Sequence, residues 1–322
     1  MLHSRCREAP QRMSFMNPQH RFEATSARFQ SAAHKLRWGI RTVGVADTLR
    51  GAARMITLRL RSPPRSEISL RSGSVLEFEY PSQFPPALVM FGDLIDPEFS
   101  FLSHVSRPDW VVVDVGAAIG QFAVFAATLP SAIVHAFEPS AANVATLRRN
   151  VERNRVVERV KIHQLALSNA DGESTFEATE RTWMGRLSDV PSEGGEVVAV
   201  RTLSGELKRS DVTHISVLKV NVSGFEPQVF EGAETVLAGG NADILILLLG
   251  LPSLPWYEKI ASYGYRFFYY HPRERRLYEV SSFDERSVLS HRPWPARHII
   301  AVHQSAIAAG VISTVEIVRS RR

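Results

Sequence analysis

Between Pro108 and Leu165 the chain repeats a pattern that few folds accommodate. An apolar run, Trp110–Val115, ends in Gly-Ala-Ala-Ile-Gly and gives way to the helically spaced Gln121–Leu129. A second short run, Ile133–Phe137, ends at Glu138-Pro139. Ser140 then offers an N-cap to a helix with Val144, Leu147 and Val151 on one side and Arg148, Arg149 and Glu152 on the other. Val160–Leu165 is a third run. Strands alternating with helices at this spacing dictate a parallel sheet with right-handed crossovers.

The rhythm pauses over residues 168–213, where Glu173–Ala178 and Glu196–Arg201 read as extra strands around a polar loop containing Trp183-Met184-Gly185. It resumes with Ile215–Val222 as a strand, Glu226–Leu237 as a helix stopped by Gly239-Gly240, and Ile244–Leu249 as a strand. Trp256–Tyr263 reads as a helix, with Tyr265–Tyr270 and Ile299–His303 as the last strands. The expected architecture is α/β: a doubly wound, mostly parallel seven-stranded sheet over residues 101–305. Residues 66–100 precede it as a hairpin and cap segment, with Ile68–Leu70 and Val75–Tyr80 turning at Ser72-Gly73. Residues 1–65 form a basic arm, loosely helical from Ala24 to Ile56 and ending in an Arg-Ser-Pro-Pro-Arg linker. Residues 306–322 read as a tail.

The net charge of +5 is unevenly placed. Residues 1–65 hold thirteen Lys or Arg against three acids, so the remainder is net acidic. A basic arm suits an anionic surface, and weak contact with a membrane is one reading; packing on its own domain is the other. Nothing in the pattern calls for nucleic acid as a partner. The single cysteine, Cys6, excludes an intrachain disulfide and fits a reducing, cytoplasmic setting. The longest apolar run, Ile244–Leu251, falls far short of the roughly 20 residues of a membrane span. The first 25 residues lack a continuous apolar stretch, so no secretory signal is expected.

Val111–Phe122, VVVDVGAAIGQF, carries the chemistry. Gly116 and Gly120 lie at a strand-to-helix turn, where a ligand meets backbone. Glu138 ends the next strand, placed to accept both hydroxyls of a ribose. A dinucleotide fingerprint requires a second and third glycine, and Ala118 and Gln121 stand there instead. Asp114 would repel a pyrophosphate. It suits a cofactor with an ammonium and a sulfonium, S-adenosylmethionine. A nicotinamide enzyme is the disfavoured alternative.

With Asp114-Val-Gly-Ala-Ala-Ile-Gly-Gln, Ala-Phe-Glu-Pro at 136–139, Leu147-Arg-Arg-Asn150, Ala166-Leu-Ser168, Leu218-Lys-Val-Asn-Val-Ser-Gly-Phe-Glu226 and Phe230-Glu-Gly-Ala233, the chain resembles the FkbM-type methyltransferases. The resemblance covers about residues 66–305. It implies the class I S-adenosylmethionine-dependent fold and O-methylation of a hydroxyl on a sugar, a glycolipid or a natural product. By the same resemblance Asp114 meets the methionine end of the cofactor, Glu138 its ribose, and Asn221 the methyl-transfer site. Gly116, Ala117, Ala118, Gly120, Phe122, Pro139 and Ala166 complete the expected cofactor contacts.

The chain departs from that family at Ala118, where Asn is usual, and at Ser204, Asn221 and Ser223, where acids are usual; the strand Ile244–Leu249 also lacks its terminal acid. Asn221 keeps an Asp's shape and hydrogen bonds but cannot act as a carboxylate base. These losses leave a second reading open, a relative that binds the cofactor with weak or no turnover. Lys219 and Glu226 remain as candidates for catalysis, or for structure: an ion pair for the first and a helix start for the second. No other acid pair has metal-ligand spacing, so no metal is expected. His135 and His163 read as core residues, and Trp183 as a residue that stacks on a sugar or covers the core.

Overall fold

A computed structural model describes residues 40, 44–178, 185–188, 194–222, 224–248, 250, 253–284 and 298–319. Trp183 and Ser223 lie outside them, as does nearly all of the arm up to residue 43. Residues 1–49 and 50–322 are separate compact units. Of the first, only Ile40 and 44–49 are described, and Thr48 there donates its hydroxyl to the Gly44 carbonyl. Helix α1, Val45–Arg61, takes up part of the expected linker, leaving only three residues before the next strand. Among the described residues, no helix is long and apolar enough to cross a membrane.

The hairpin forms from β1 (Arg65–Ser69) and β2 (Val75–Glu79), paired antiparallel. Two short helices follow, α2 (Pro86–Phe91) and α3 (Pro97–Val105). The alternating segments then supply β3 (Val111–Val115), α4 (Gln121–Ala127), β4 (Ile133–Phe137), α5 (Ala141–Arg153) and β5 (Val160–His163). The interruption becomes β6 (Ala166–Leu167), β7 (Gly172–Ala178), β8 (Gly185–Ser188) and β9 (Glu196–Arg201), a separate four-stranded sheet in the order β6-β9-β7-β8. The alternation returns as α6 (Leu203–Arg209), β10 (Ile215–Val220), α7 (Glu226–Gly232), α8 (Glu234–Ala238), β11 (Ala242–Leu248) and α9 (Leu254–Ser262). β12 (Tyr265–His271), β13 (Arg276–Val280), β14 (His298–His303), α10 (Gln304–Ala308) and β15 (Glu316–Val318) close the chain.

The main sheet has the order β15-β13-β12-β14-β11-β10-β3-β4-β5. From β3 the order runs outward to β4 and β5 on one side and to β10 and β11 on the other, all parallel. This is the doubly wound plan, and ligands of such sheets sit where the order reverses, here between β3 and β10. β14 enters antiparallel between β11 and β12. The seven strands expected are present in a doubly wound arrangement. The sheet is nonetheless nine-stranded and mixed. β13 turns back from β12, and β15 pairs parallel with β13. Residues 306–322, read as a tail, therefore contribute a sheet edge. The short apolar stretch of β13 and the three residues of β15 give no periodic signal of their own.

Alternate residues of each strand face opposite layers. Val112, Val134, Val217, Ile244, Ile246 and Ile300 join α3, α4 and α5 in one core; Val113, Val115, Leu218, Val220, Leu245 and Ile299 join α6, α7 and α9 in another. The helix expected over Glu226–Leu237 breaks at Ala233, whose φ of −103° and ψ of 3° leave the helical range, and Gly232 just before it lets the Ser168 carbonyl approach where a Cβ would lie 1.9 Å from its oxygen.

The hairpin belongs to the same compact unit, and two asparagines secure it. Asn154 accepts from the Val75 amide and donates to its carbonyl, and Asn150 does the same for Glu77. Residues four apart on a helix thus meet residues two apart on a strand, and the side-chain amides act as a further strand on the edge of β2. Arg149 adds an ion pair to Glu77 at 2.7 Å.

Candidate active site

The turn after β3 places two cavities side by side. The smaller, about 600 Å³ with its open mouth, is lined by Gly116, Ala118, Phe137, Glu138, Ala166 and Phe176, among others. The larger, about 870 Å³ on the same measure, is lined by Gly116–Ile119, Phe122, Asp96, Glu98, Lys219 and His298, together with Gln83 and Pro85–Leu88. Gly116, Ala118 and Asn221 line both. The four-stranded sheet covers the smaller cavity with Leu167, Phe176, Gly185 and Leu187.

Each turn residue has a geometric reason. Gly116 holds φ at 80°, and a Cβ there would stand 2.1 Å from the Asn221 carbonyl oxygen. The absence of a side chain lets the ends of β3 and β10 close on each other, with the Asn221 amide donating to the Val115 carbonyl at 3.0 Å. Gly120, at φ 94°, starts α4 and leaves room for Leu147. Ala118 sits at φ 48°, a left-handed conformation that Asn adopts far more readily. Its amide donates to Glu138 Oε2 at 2.8 Å, so that contact ties the turn to the end of β4.

Glu138 is buried, which raises its pKa despite donors from Asn143, Ala118 and Ser140. Its Oε1 already takes both the Ser140 amide and the Asn143 side chain, whereas Oε2 takes only Ala118. A carboxylate oxygen accepts about two hydrogen bonds, so one open lone pair remains, on Oε2. Glu138 can therefore accept one hydroxyl in its present rotamer, not the two expected.

Asp114 differs more from expectation. It is fully buried and lines neither cavity. Its Oδ1 accepts from Lys219 Nζ at 2.9 Å across the adjacent strand, and its Oδ2 has no hydrogen-bond partner. Lys219 Nζ also lies 5.2 Å from the centre of the Phe122 ring. Of this pair it is Lys219 that reaches the larger cavity, so Asp114 faces a ligand only through it or through water. Gly120 also lines neither cavity. Gly116, Ala117, Ala118, Phe122, Glu138, Pro139, Ala166 and Asn221 all line one or both.

Glu226 is a positioning residue. Its two carboxylate oxygens accept from the Val222 and Gly224 amides at 2.9 and 3.0 Å, which folds the loop after β10 over the smaller cavity. With both oxygens on backbone and the side chain buried, it is not placed to handle a substrate proton. His135 and His163 stack 5.3 Å apart on β4 and β5 and line neither cavity; His163 also stacks on Phe137, a wall of the smaller one, at 4.4 Å. Burial, aided by His163 and Lys161, lowers the pKa of His135 to about 4.

The sequence reading passed over Asp96, Glu98 and His298. Asn221 Nδ2 lies 3.1 Å from His298 Nε2, and His298 Nδ1 lies 2.7 Å from Glu98 Oε1 and 3.9 Å from Asp96 Oδ1. All three line the larger cavity and are buried. The expectation that no acid set has metal-ligand spacing held only along the chain; the fold assembles one across 200 residues. His298 begins a strand, which usually places a residue at the amino edge of such a sheet. Because β14 runs antiparallel, its start lies at the carboxyl edge, opposite Leu248. No local signal marks that inversion.

The family described as the methyltransferase FkbM domain matches residues 114–267. A little under half of the chain is thus similar to an FkbM methyltransferase domain. Both cavities open around its first turn, and Asp96, Glu98 and His298 lie outside the matched stretch. A 31-O-demethyl-FK506 methyltransferase, FkbM, from Streptomyces tacrolimicus is 33% identical over 40% of this chain and 61% of its own length. Methyltransferase 1 of Beauveria bassiana is 30% identical over 39% of this chain and 59% of its own. The chain thus spans about three fifths of these curated relatives. The crystal structure of an FkbM methyltransferase from Methylobacillus flagellatus superposes with a TM-score of 0.41 at 17% identity, covering 68% of this chain and 53% of that one. The fold assignment rests on the strand order, not on that superposition.

Proposed function

We propose that this FkbM-like domain uses S-adenosylmethionine to methylate a hydroxyl of a sugar, a glycolipid or a natural product. The observation that carries the proposal is the junction of two cavities at Gly116, Ala118 and Asn221, on the reversal point of the sheet. A methyl donor and an acceptor need two compartments that meet at one point. The smaller compartment fits a nucleoside: Phe137, Leu165, Leu167 and Phe176 offer apolar walls, and Glu138 Oε2 has an open acceptor site. The larger fits an acceptor, and Lys219 there can hold a carboxylate end of the donor. The S. tacrolimicus relative, named for methylation of a demethylated oxygen, supports a hydroxyl as acceptor.

Bound S-adenosylmethionine supplies a methyl group on a sulfonium, already activated for transfer. Asn221 stands at the junction and can orient a hydroxyl by hydrogen bonding, though its amide cannot remove the proton. Losing a general base costs about 10²–10⁴-fold, whereas alignment of two reactants contributes on the order of 7–11 kcal/mol. The replaced acids are therefore compatible with turnover. The test is calorimetry with S-adenosylmethionine, followed by mass spectrometry of hydroxyl-bearing acceptors. We expect binding that weakens in Glu138→Ala and the gain of one methyl group by an acceptor. Absence of binding at millimolar ligand, or binding indifferent to Glu138→Ala, overturns the reading.

A further inference from the structure

We propose that Asp96, Glu98 and His298 form a divalent-cation site opening into the larger cavity. The inference is independent of the methyl-transfer reading, since it concerns three residues outside the family match and a property measurable without a substrate.

One ligand atom from each of Asp96, Glu98 and His298 lies within 4.8 Å of the other two, and His298 Nδ1 stands 3.9 Å from Asp96 Oδ1 and 2.7 Å from Glu98 Oε1. Ligands held at about 2.0–2.2 Å from one ion stand no more than about 4.4 Å apart, close to that spread. The arrangement of the pair at its centre favours an ion over a hydrogen bond. His298 Nδ1 and Glu98 Oε1 approach to 2.7 Å, yet neither has a hydrogen-bond partner, because they are not aligned as donor and acceptor. Two ligands of one cation stand in this relation, each directed at the metal and side by side with the other. Both side chains are almost wholly buried, at 2% and 1% exposure for Glu98 and His298, so misalignment there is costly unless something else satisfies the atoms.

The surroundings match a metal site as well. A ligating imidazole usually donates its second N–H to an acceptor, and the Asn221 amide stands beside His298 Nε2, its Nδ2 at 3.1 Å, with a carbonyl oxygen on the same group able to take that role when the amide is turned over. A ligating carboxylate is in turn held by a neighbour, and Gln121 Nε2 donates to Asp96 Oδ2 at 2.7 Å. Three protein ligands leave coordination positions open, and the side left open is the cavity. One imidazole with two carboxylates suits Mn²⁺, Fe²⁺ or Zn²⁺ better than the all-oxygen preference of Mg²⁺. An ion on Nδ1 requires the proton on Nε2, so loading the site turns the Asn221 amide over and lets its Oδ1 accept from Nε2–H; in the present arrangement Nδ2 faces that nitrogen.

The experiment uses the full chain, stripped with chelator and titrated with Mn²⁺ by electron paramagnetic resonance, with Zn²⁺ and Mg²⁺ by calorimetry. The expected result is one Mn²⁺ per chain, a melting temperature raised by Mn²⁺, and affinity reduced at least about tenfold in His298→Ala and Glu98→Gln. Gln121→Ala, which leaves all three ligands in place, should weaken binding more mildly and keeps the test open if a ligand variant fails to fold. Glu158→Gln, on the surface, should bind like the parent. Failure of the parent to bind either Mn²⁺ or Zn²⁺ stoichiometrically overturns the proposal in favour of a buried His–Glu contact. Binding unchanged in both Glu98→Gln and Gln121→Ala overturns it as well.

Discussion

Lys219→Met should be among the most destabilising single substitutions in this protein, and Asp114→Asn should largely repair it. The pair sits on adjacent parallel strands at 2.9 Å, with Asp114 fully buried and the Lys219 side chain 8% exposed. At an effective dielectric of about 20, the attraction at that distance is about 6 kcal/mol, opposed by the cost of desolvating both charges. Removing only the lysine keeps the desolvation and loses the attraction. Asp114 would then have neither oxygen paired, since Oδ2 already lacks a partner. Breaking such a pair from one side costs about 3–5 kcal/mol. Asp114→Asn alone should cost less, toward about 3 kcal/mol, because Lys219 lines the larger cavity and water can reach its ammonium. The double variant should lie within about 2 kcal/mol of the parent, giving a coupling energy of about 3 kcal/mol or more. Urea unfolding of the four proteins, with m-values compared to verify a common transition, measures the cycle. Additive single effects, or a cost below about 1 kcal/mol for Lys219→Met, would refute the assignment of this pair as a structural element of the central strands.

Three further outcomes follow from local geometry. Gly116→Ala places a Cβ 2.1 Å from a backbone oxygen at φ 80°, so it should cost about 3 kcal/mol or more and disturb both cavities; a melting-temperature shift and ligand calorimetry would report the two effects. Asn150→Ala removes bonds to the Glu77 amide and carbonyl and to the Ile119 carbonyl, which should cost about 2–3 kcal/mol and raise hydrogen exchange first in residues 75–79. His135 is held neutral in the fold with a pKa of about 4 against an ordinary 6.5, so between those values the unfolded chain binds more protons than the folded one. Stability is fully present above about pH 6.5 and should decline as pH falls toward 4, by about 2 kcal/mol after solvent screening, and His135→Gln should flatten that decline in urea titrations across the window.

The alternation of strands and helices was legible because each segment carries its own period. A strand buried on both faces shows as an apolar run, and a helix packed on one side shows as a 3.6-residue stripe. Val111–Phe122 announced its turn because Gly116 and Gly120 need left-handed backbone there, a demand visible in residue type alone. Glu138 was legible for a similar reason, its position being set by the length of one crossover. Asn150, by contrast, read as part of a family motif, and only the packed hairpin shows that its amide completes the edge of β2.

What the sequence by itself determined, then, was the alternation of strands and helices, the glycine turn after β3 and the absence of a carboxylate at Asn221, because each is carried by residues close together in the chain. The tertiary structure decided the rest. It turned Asp114 and Lys219 toward each other, since neighbours across a parallel sheet can be 105 positions apart in the chain. It bound Glu226 to its own loop. Above all it inverted β14, and so carried His298 to the carboxyl edge beside Asp96 and Glu98. Three residues without a shared motif became one buried cluster because strand direction, which no local pattern records, decides which end of a strand faces the site.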